Sequence, residues 1–131
     1  MPLSSRFRHW LAGALLALAL PATAAPMQQF QLPPVDEVFV LSAQATARDR
    51  IEVRWQIADG YYLYRHRTSV KADAAFAGGT LSLPKGKAYR DEFFGDVETY
   101  RQQLVGTLSG APIAGATTTT LTVKYQGCAD A

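Results

Sequence analysis

The chain has 131 residues, of which 48% are hydrophobic, and its 13 Lys and Arg against 11 Asp and Glu give a formal net charge of +2. Two of the basic residues, Arg6 and Arg8, lie in the first 24 positions, so the remainder is formally neutral. Its basic side chains are scattered, which gives no support for nucleic-acid or anionic-lipid binding. The length after residue 24 allows one domain with a sizeable core but not two.

The first 24 residues have the pattern of a signal peptide. Two arginines precede an apolar run at residues 10–20, and Ala22 and Ala24 then form an A-x-A cleavage site. The run is shorter than the roughly 20 apolar residues of a membrane span, which makes an uncleaved anchor the weaker alternative. We therefore expect a cleaved signal peptide at residues 1–24 and one exported domain at 25–131.

Apolar and polar residues alternate in several short segments after the signal peptide. The clearest segment is 51–57 (IEVRWQI), whose four apolar side chains would share one face of a strand. Further strands are predicted at 38–41, 80–83, 100–108 and 119–125. Turns are predicted from glycine and proline at 59–60, 78–79, 84–86 and 110–112. No segment has a convincing helical period, so the predicted fold class is all-β, an antiparallel β-sandwich.

The single cysteine, Cys128, follows Gly127 just beyond the last predicted strand, where a loop could expose the sulfur. A lone thiol in an exported protein indicates an intermolecular partner, a reactive thiol, or a pair whose second member is missing. Thiol-disulfide exchange requires a thiolate, an accessible sulfur and a partner thiol. A small, buried and inert side chain is the ordinary alternative.

An acidic and aromatic segment joins two predicted strands. It consists of Asp91, Glu92, Phe93, Phe94 and Gly95. Adjacent aromatic rings outside a strand pattern either enter the core or cover something, and glycine lets the backbone turn sharply. The segment is therefore either a cap over a reactive group or a hydrophobic plug with solvated carboxylates.

Two alternate tyrosines, Tyr62 and Tyr64, would share one face of a strand within residues 59–65. Such rings suit the wall of a site, and core or edge packing is the default interpretation. His66 is the one histidine after the signal peptide, and we interpret it as a surface residue. No metal-ligand spacing and no other catalytic motif occurs in the sequence.

Five segments in order carry a family resemblance. They are DGYYLYR at 59–65, LPKG at 83–86, DEFFG at 91–95, YR at 100–101 and YQGCAD at 125–130. From about Phe30 onward the chain resembles the N-terminal periplasmic domain of the thiol:disulfide interchange protein DsbD family. Each motif alone is weak, whereas the five in this order are specific.

The resemblance implies an immunoglobulin-like β-sandwich without a cofactor or metal. It also implies a protein-disulfide reductase that works in the periplasm, with the intact protein anchored in the inner membrane. The domain would receive electrons from a thioredoxin-like C-terminal domain of that protein. It would pass them to periplasmic disulfide isomerases and to the thioredoxin-like protein of cytochrome c maturation.

The resemblance also assigns roles to residues. Cys128 matches the first cysteine of the active pair, and residues 91–95 match a cap loop in which Phe93 shields the sulfurs. Tyr62 and Tyr64 match tyrosines near the active site.

The sequence departs from the family pattern after Cys128. In the family a second cysteine follows six positions after the first, and this chain ends at Ala131. We expect a C-terminally incomplete domain that lacks a terminal strand and leaves a sheet edge exposed. The alternative function is a non-catalytic exported β-sandwich, an adhesion-like or chaperone-like module that binds partners through its tyrosines.

Overall fold

The structure is a computed structural model that describes residues 14–21 and 32–130. These residues belong to two compact units, Met1–Gln31 and Leu32–Ala131. Residues 14–21 contain no helix or strand, and their leucines are exposed. The basic residues and the cleavage site of the predicted signal peptide lie outside the described residues. Within the described ranges, no helix has the length and apolar character needed to cross a membrane.

The second unit is built almost entirely from short antiparallel strands. Its helical segments are one turn of α-helix, α1 (Val35–Val38), and one 3-10 turn, Arg65–Arg67. The strands are β1 (Phe39–Ala47), β2 (Arg50–Ile57), β3 (Tyr61–Tyr64), β4 (Ser69–Ala72), β5 (Phe76–Ser82), β6 (Lys87–Asp91), β7 (Gly95–Tyr100), β8 (Gln103–Pro112), β9 (Leu121–Lys124) and β10 (Gly127–Ala129).

The strands form two four-stranded sheets and one two-stranded ribbon. One sheet has the order β1-β2-β8-β5, the second has the order β10-β3-β7-β6, and the ribbon pairs β4 with β9. Each strand pair is antiparallel. The predicted all-β antiparallel fold is therefore confirmed.

The core is centred on the inward face of β2. Val53 and Trp55 are fully buried, and Ile51 and Ile57 share their face, as the alternation predicts. The Tyr125 ring packs edge-on against Trp55, with ring centroids 6.2 Å apart. Burial of each large apolar side chain stabilises the fold by about 1.5–3 kcal/mol. This core holds in place the sheet that carries the predicted site residues.

Two predicted turns lie inside strands. Gly78 and Gly79 belong to β5, at a break in its register with β8, and residues 110–112 belong to β8. A Cβ atom on Gly110 would lie 2.5 Å from the Phe76 ring and 2.8 Å from the Ala77 carbonyl oxygen. Glycine is required there by the close approach of β5, so interpreting it as a turn was wrong.

Strand boundaries also differ from the prediction. The predicted strand at 100–108 is divided, because β7 ends at Tyr100 and β8 begins at Gln103. Gln102, between them, has a positive φ of 66°. The prediction at 119–125 shortens to β9. Four strands, β4, β6, β7 and β10, were not predicted, and β7 shares only Tyr100 with the predicted strand at 100–108. They are too short to display a clear period.

Candidate functional site

Cys128 lies in a strand and not in a loop. It is the central residue of β10, and it pairs directly opposite Tyr62 of β3. Residues opposite each other in an antiparallel pair project to the same face, with Cβ atoms about 5 Å apart. Because Cys128 pairs with Tyr62, the thiol projects to the same face of the sheet as the Tyr62 side chain. The cysteine is half-buried. The expectation of a loop was wrong because the backbone of residues 127–129 extends the sheet along β3.

Gly127 lets β10 approach the rest of the domain. A Cβ atom at this position would overlap the Phe39 ring and would lie 2.5 Å from the Tyr62 carbonyl oxygen. Any side chain larger than hydrogen would therefore push β10 away from β3. The glycine next to the cysteine is thus a packing requirement for the position of the thiol.

A buried carboxylate joins the two predicted tyrosines. Asp91 is only 4% exposed, and its Oδ2 accepts hydrogen bonds from the hydroxyl groups of Tyr62, at 2.7 Å, and Tyr64, at 2.5 Å. The two rings also pack edge-to-face, with centroids 5.4 Å apart. Of the two alternatives for this segment, the one with solvated carboxylates is wrong for Asp91, which is a buried acceptor between two phenols.

The same carboxylate shapes the cap loop. Its Oδ1 accepts hydrogen bonds from the backbone N–H groups of Phe93, at 2.7 Å, and Phe94, at 2.9 Å. Gly95 closes the hairpin between β6 and β7 with a φ of 75°, a value that favours glycine. Asp91 therefore links the tyrosine face of β3 to the backbone of the loop.

The electrostatics of this cluster follow from burial and hydrogen bonding. Burial alone would raise the pKa of the Asp91 carboxyl, but the four donated hydrogen bonds outweigh burial and lower the pKa to about 2. Burial, and then the bond to Asp91, raises the pKa of both Tyr62 and Tyr64 above the ordinary value. The Cys128 thiol adds to both increases. The strand register gives the geometry: Cys128 lies opposite Tyr62, and Tyr64 follows two positions along on the same face of β3.

The two aromatic residues of the cap loop have different surroundings. The Phe94 ring packs edge-on against Tyr64, with centroids 4.9 Å apart, and against His66, at 4.8 Å. The Arg67 guanidinium lies over the same ring, 5.1 Å from its centroid. Phe93 is 69% exposed. Phe94 thus attaches the loop to the domain, and the shielding role of Phe93 stays a prediction.

His66 is exposed, as the sequence indicates, but it has a role that the sequence did not reveal. Its ring packs against both Tyr64, at 5.5 Å, and Phe94. It reaches them because the 3-10 turn Arg65–Arg67 directly follows β3. No periodic signal in the sequence marks such a turn.

Arg101 is a second residue whose position the sequence did not reveal. Its guanidinium donates two hydrogen bonds of 2.8 Å to the carboxylate oxygens of Asp130, and it lies 4.8 Å from the centroid of the Tyr62 ring. It lies 5.8 Å from the Tyr89 centroid. The one sequence signal for Arg101 was its place in the YR motif at 100–101, which is among the five family motifs.

Two grooves of the domain are not lined by Cys128. One, of about 550 Å³, is lined by Ala43, Phe76 and Leu121 among others, and the other, of about 790 Å³, is lined by His66 and Phe94 among others. The half-buried Cys128 lies on β10, the first strand in the order of its sheet.

The sequence of this domain matches a known protein family. The family model described as thiol:disulfide interchange protein DsbD, N-terminal, matches residues 29–131. The DsbD protein of Photorhabdus laumondii subsp. laumondii is 38% identical over a match of 124 residues in length, which covers 89% of this chain and 21% of the relative. The chain therefore spans about a fifth of the length of the curated relatives that it matches first.

Two solved structures are similar to this chain. The reduced form of the Neisseria meningitidis DsbD N-terminal domain has a TM-score of 0.58 and 35% identity, covering 76% of this chain and 78% of that chain. The complex between the DsbD N-terminal and PilB N-terminal domains of N. meningitidis has a TM-score of 0.61 and 34% identity, covering 76% of each chain. These neighbours confirm the immunoglobulin-like β-sandwich. The chain belongs to the family of DsbD N-terminal domains.

Proposed function

We propose that this chain is the thiol-disulfide exchange domain of a periplasmic protein-disulfide reductase, with Cys128 as the reacting residue. The observation that carries the proposal is the position of the half-buried thiol. It lies opposite Tyr62, beside two phenols that are held by the buried Asp91 carboxylate. Family membership supplies the reaction class.

The exchange reaction proceeds in two balanced steps. The Cys128 thiolate attacks one sulfur of a partner disulfide, which forms a mixed disulfide and releases the other partner sulfur as a thiolate. A second thiol, which the family carries six positions after the first, then attacks Cys128 and releases the partner with two reduced cysteines. Two electrons pass to the partner, and the domain is left with a disulfide. Residues 1–131 contain one cysteine, so they supply the first step.

The partners that we propose are proteins with thioredoxin-like folds. The donor is a thioredoxin-like C-terminal domain of the intact protein. The acceptors are periplasmic disulfide isomerases and the thioredoxin-like protein of cytochrome c maturation. The solved complex of a Neisseria DsbD N-terminal domain with a PilB domain supports a protein partner.

The cap loop at residues 91–95 would control access to the sulfur. Asp91 holds its backbone, Phe94 attaches it to the domain and Phe93 shields Cys128. Tyr62 and Tyr64 form the wall beside the thiol. Export by a cleaved signal peptide at residues 1–24 would deliver the domain at 25–131 to the periplasm, with the intact protein anchored in the inner membrane.

A mixed-disulfide assay tests the proposal. The probe is a thioredoxin-like domain with one reactive cysteine carrying a thionitrobenzoate group, so that attack by Cys128 releases the coloured thionitrobenzoate anion. We expect one equivalent of the anion and a covalent complex, both absent from Cys128→Ser. A chain that reacts with the small disulfide DTNB but not with the protein probe would contradict the proposal. Retained, non-covalent capture of the probe by Cys128→Ser would instead favour the binding-module alternative.

A further inference from the structure

We propose that Arg101 is a positioning residue for the reactive cysteine. Its guanidinium joins the segment that follows Cys128 to the tyrosine face, and thereby sets the direction in which the sulfur points. The inference rests on the proposed function, since it concerns the attack of Cys128 on a partner disulfide.

The strand that carries Cys128 has few attachments of its own. β10 is three residues long and lies at the edge of its sheet. At its ends, the Tyr64 N–H donates to the Gln126 carbonyl at 3.0 Å, and the Asp130 N–H donates to the Gly60 carbonyl at 2.7 Å. An edge strand this short needs side-chain contacts to hold one orientation.

Arg101 supplies such a contact through a bidentate pair. Both of its terminal nitrogens bond to the carboxylate of Asp130, two residues beyond Cys128, at 2.8 Å each. The bonds raise the pKa of Arg101 and lower that of Asp130. An exposed ion pair usually contributes little stability. A planar fork with two parallel bonds does fix geometry, because it restricts both distance and rotation.

Arg101 is itself held in place from the other side. It lies in the turn between β7 and β8, next to Gln102, whose φ of 66° falls in the left-handed region. The Gln102 carbonyl accepts a 2.8 Å hydrogen bond from the backbone of buried Ile57. A non-glycine residue keeps this conformation only where the surroundings determine it. The turn is therefore tied to the core strand β2.

The guanidinium also covers the residue opposite the cysteine. It lies over the Tyr62 ring at 4.8 Å and near the Tyr89 ring at 5.8 Å, distances at which a cation and an aromatic face attract each other. Tyr62 pairs with Cys128 and donates to Asp91. One side chain thus contacts both the segment after Cys128 and the ring that faces it.

A fixed sulfur direction affects protein partners more than small disulfides. Attack requires the thiolate to lie in line with the sulfur–sulfur bond. A docked protein offers this bond in one orientation, and a misplacement of about 1 Å can slow a reaction up to about 100-fold. A small disulfide can turn to meet the sulfur. Loss of Arg101 should therefore slow the reaction with a protein selectively.

The test measures two rates for the full chain, one with DTNB and one with the thionitrobenzoate-carrying thioredoxin-like domain. Arg101→Gln should slow the protein reaction about tenfold and change the DTNB rate less than about twofold. Arg101→Lys should not restore the protein rate, because an ammonium lacks the fork. Asp130→Asn should reproduce the loss, and the double variant should lose no more than either single variant. The control is Arg54→Gln, which breaks a 2.8 Å ion pair of similar exposure in β2.

Each outcome decides the proposal. If Arg101→Gln slows the reactions with both reagents equally, Arg101 has a merely structural role. If neither rate changes, Arg101 does not position Cys128. If Arg101→Gln fails to fold, Asp130→Asn answers the question, since it leaves the guanidinium over Tyr62. A wild-type chain that reacts with DTNB but not with the protein would overturn the proposed function itself, and the role of Arg101 with it.

Discussion

At the residue scale, the carboxylate of Asp91 connects the parts of the site. It accepts two hydrogen bonds from phenols and two from backbone amides of the cap loop. A buried charge without such partners is costly, whereas one with four donors is held in its ionised form. The tyrosines and the loop are therefore structurally coupled, because they share one acceptor.

Tyr64→Phe tests that coupling at a single atom. The change removes one hydrogen bond to a buried carboxylate, which should lower the free energy of unfolding by about 1.5–3 kcal/mol. Urea denaturation measures the loss. Tyr89→Phe is the matched control, because Tyr89 is a partly exposed tyrosine on β6 of the same sheet. Equal stability of Tyr64→Phe and the parent chain would show that the 2.5 Å bond contributes nothing.

At the scale of elements, the proposed function assigns control of access to the sulfur to two short segments. One is β10, which carries the thiol along the edge of β3, and the other is the hairpin between β6 and β7, which ends the same sheet. Both depend on a glycine, for different reasons. Gly127 is required by close approach, and Gly95 is required by its positive φ.

Gly127→Ala should displace β10. The added methyl group overlaps the Phe39 ring and the Tyr62 carbonyl, and overpacking of this kind typically costs about 1–3 kcal/mol. We expect lower stability by urea denaturation and a changed rate of Cys128 alkylation by iodoacetamide. Gly79→Ala is the control, since its Cβ would meet Leu108 at an ordinary 3.4 Å. Equal effects of the two substitutions would contradict the packing argument.

Phe93→Ala tests the proposed shield. Removing the ring should accelerate alkylation of Cys128 by iodoacetamide several-fold, because the reagent would reach the sulfur more easily. Ile113→Ala, a half-exposed apolar truncation in another part of the domain, should leave the rate unchanged. An unaltered rate in Phe93→Ala would mean that this side chain does not shield the thiol.

At the scale of the whole molecule, the site lies on one of the two four-stranded sheets that contribute to the core. Trp55 of β2 enters the core from one sheet and Leu63 of β3 enters it from the other, which also carries Cys128, Tyr62 and Asp91. The core can therefore hold the site rigidly while the edge strand and cap loop stay accessible to a partner. Function of this kind is typical of loops and edges on a rigid scaffold.

The stability of the whole domain at acid pH depends on the ionised Asp91 carboxylate. The pKa of Asp91 is about 2 in the folded protein against an ordinary 3.8, so the unfolded chain takes up this proton first as the pH falls. The stability that Asp91 contributes is complete above the ordinary value and is lost as the pH falls through about 2. Asp91→Asn should remove this part of the dependence.

Urea midpoints measured from about pH 5 down to about pH 2 would check this prediction. Asp73 and Asp130 also have lowered pKa values, but they remain in both proteins, so the difference between the two profiles isolates Asp91. Parallel profiles for Asp91→Asn and the parent chain would show that Asp91 has the same pKa in the folded and unfolded states.

The success of the sequence predictions depended on the kind of interaction involved. The alternation in 51–57 predicted β2 and its buried face correctly, because period-two burial is a local property. Gly78 and Gly79 were interpreted as a turn and lie in β5, where the register with β8 breaks and Gly78 has a φ of 68°. Gly110 was also interpreted as part of a turn, but it lies in β8, where the close approach of β5 requires glycine. That requirement depends on a partner strand that is distant in sequence.

By itself, the sequence determined the β class, the placement of Tyr62 and Tyr64 on one face, and the acidic and aromatic segment, and it identified Cys128 as the candidate reacting residue. These features follow from residue type and short-range spacing. Only the tertiary structure decided that Asp91 is buried between both tyrosines, that Phe94 attaches the loop, and that Arg101 reaches Asp130. The physical reason is that each contact joins strands far apart in the chain, and their register is set by packing of the whole sandwich.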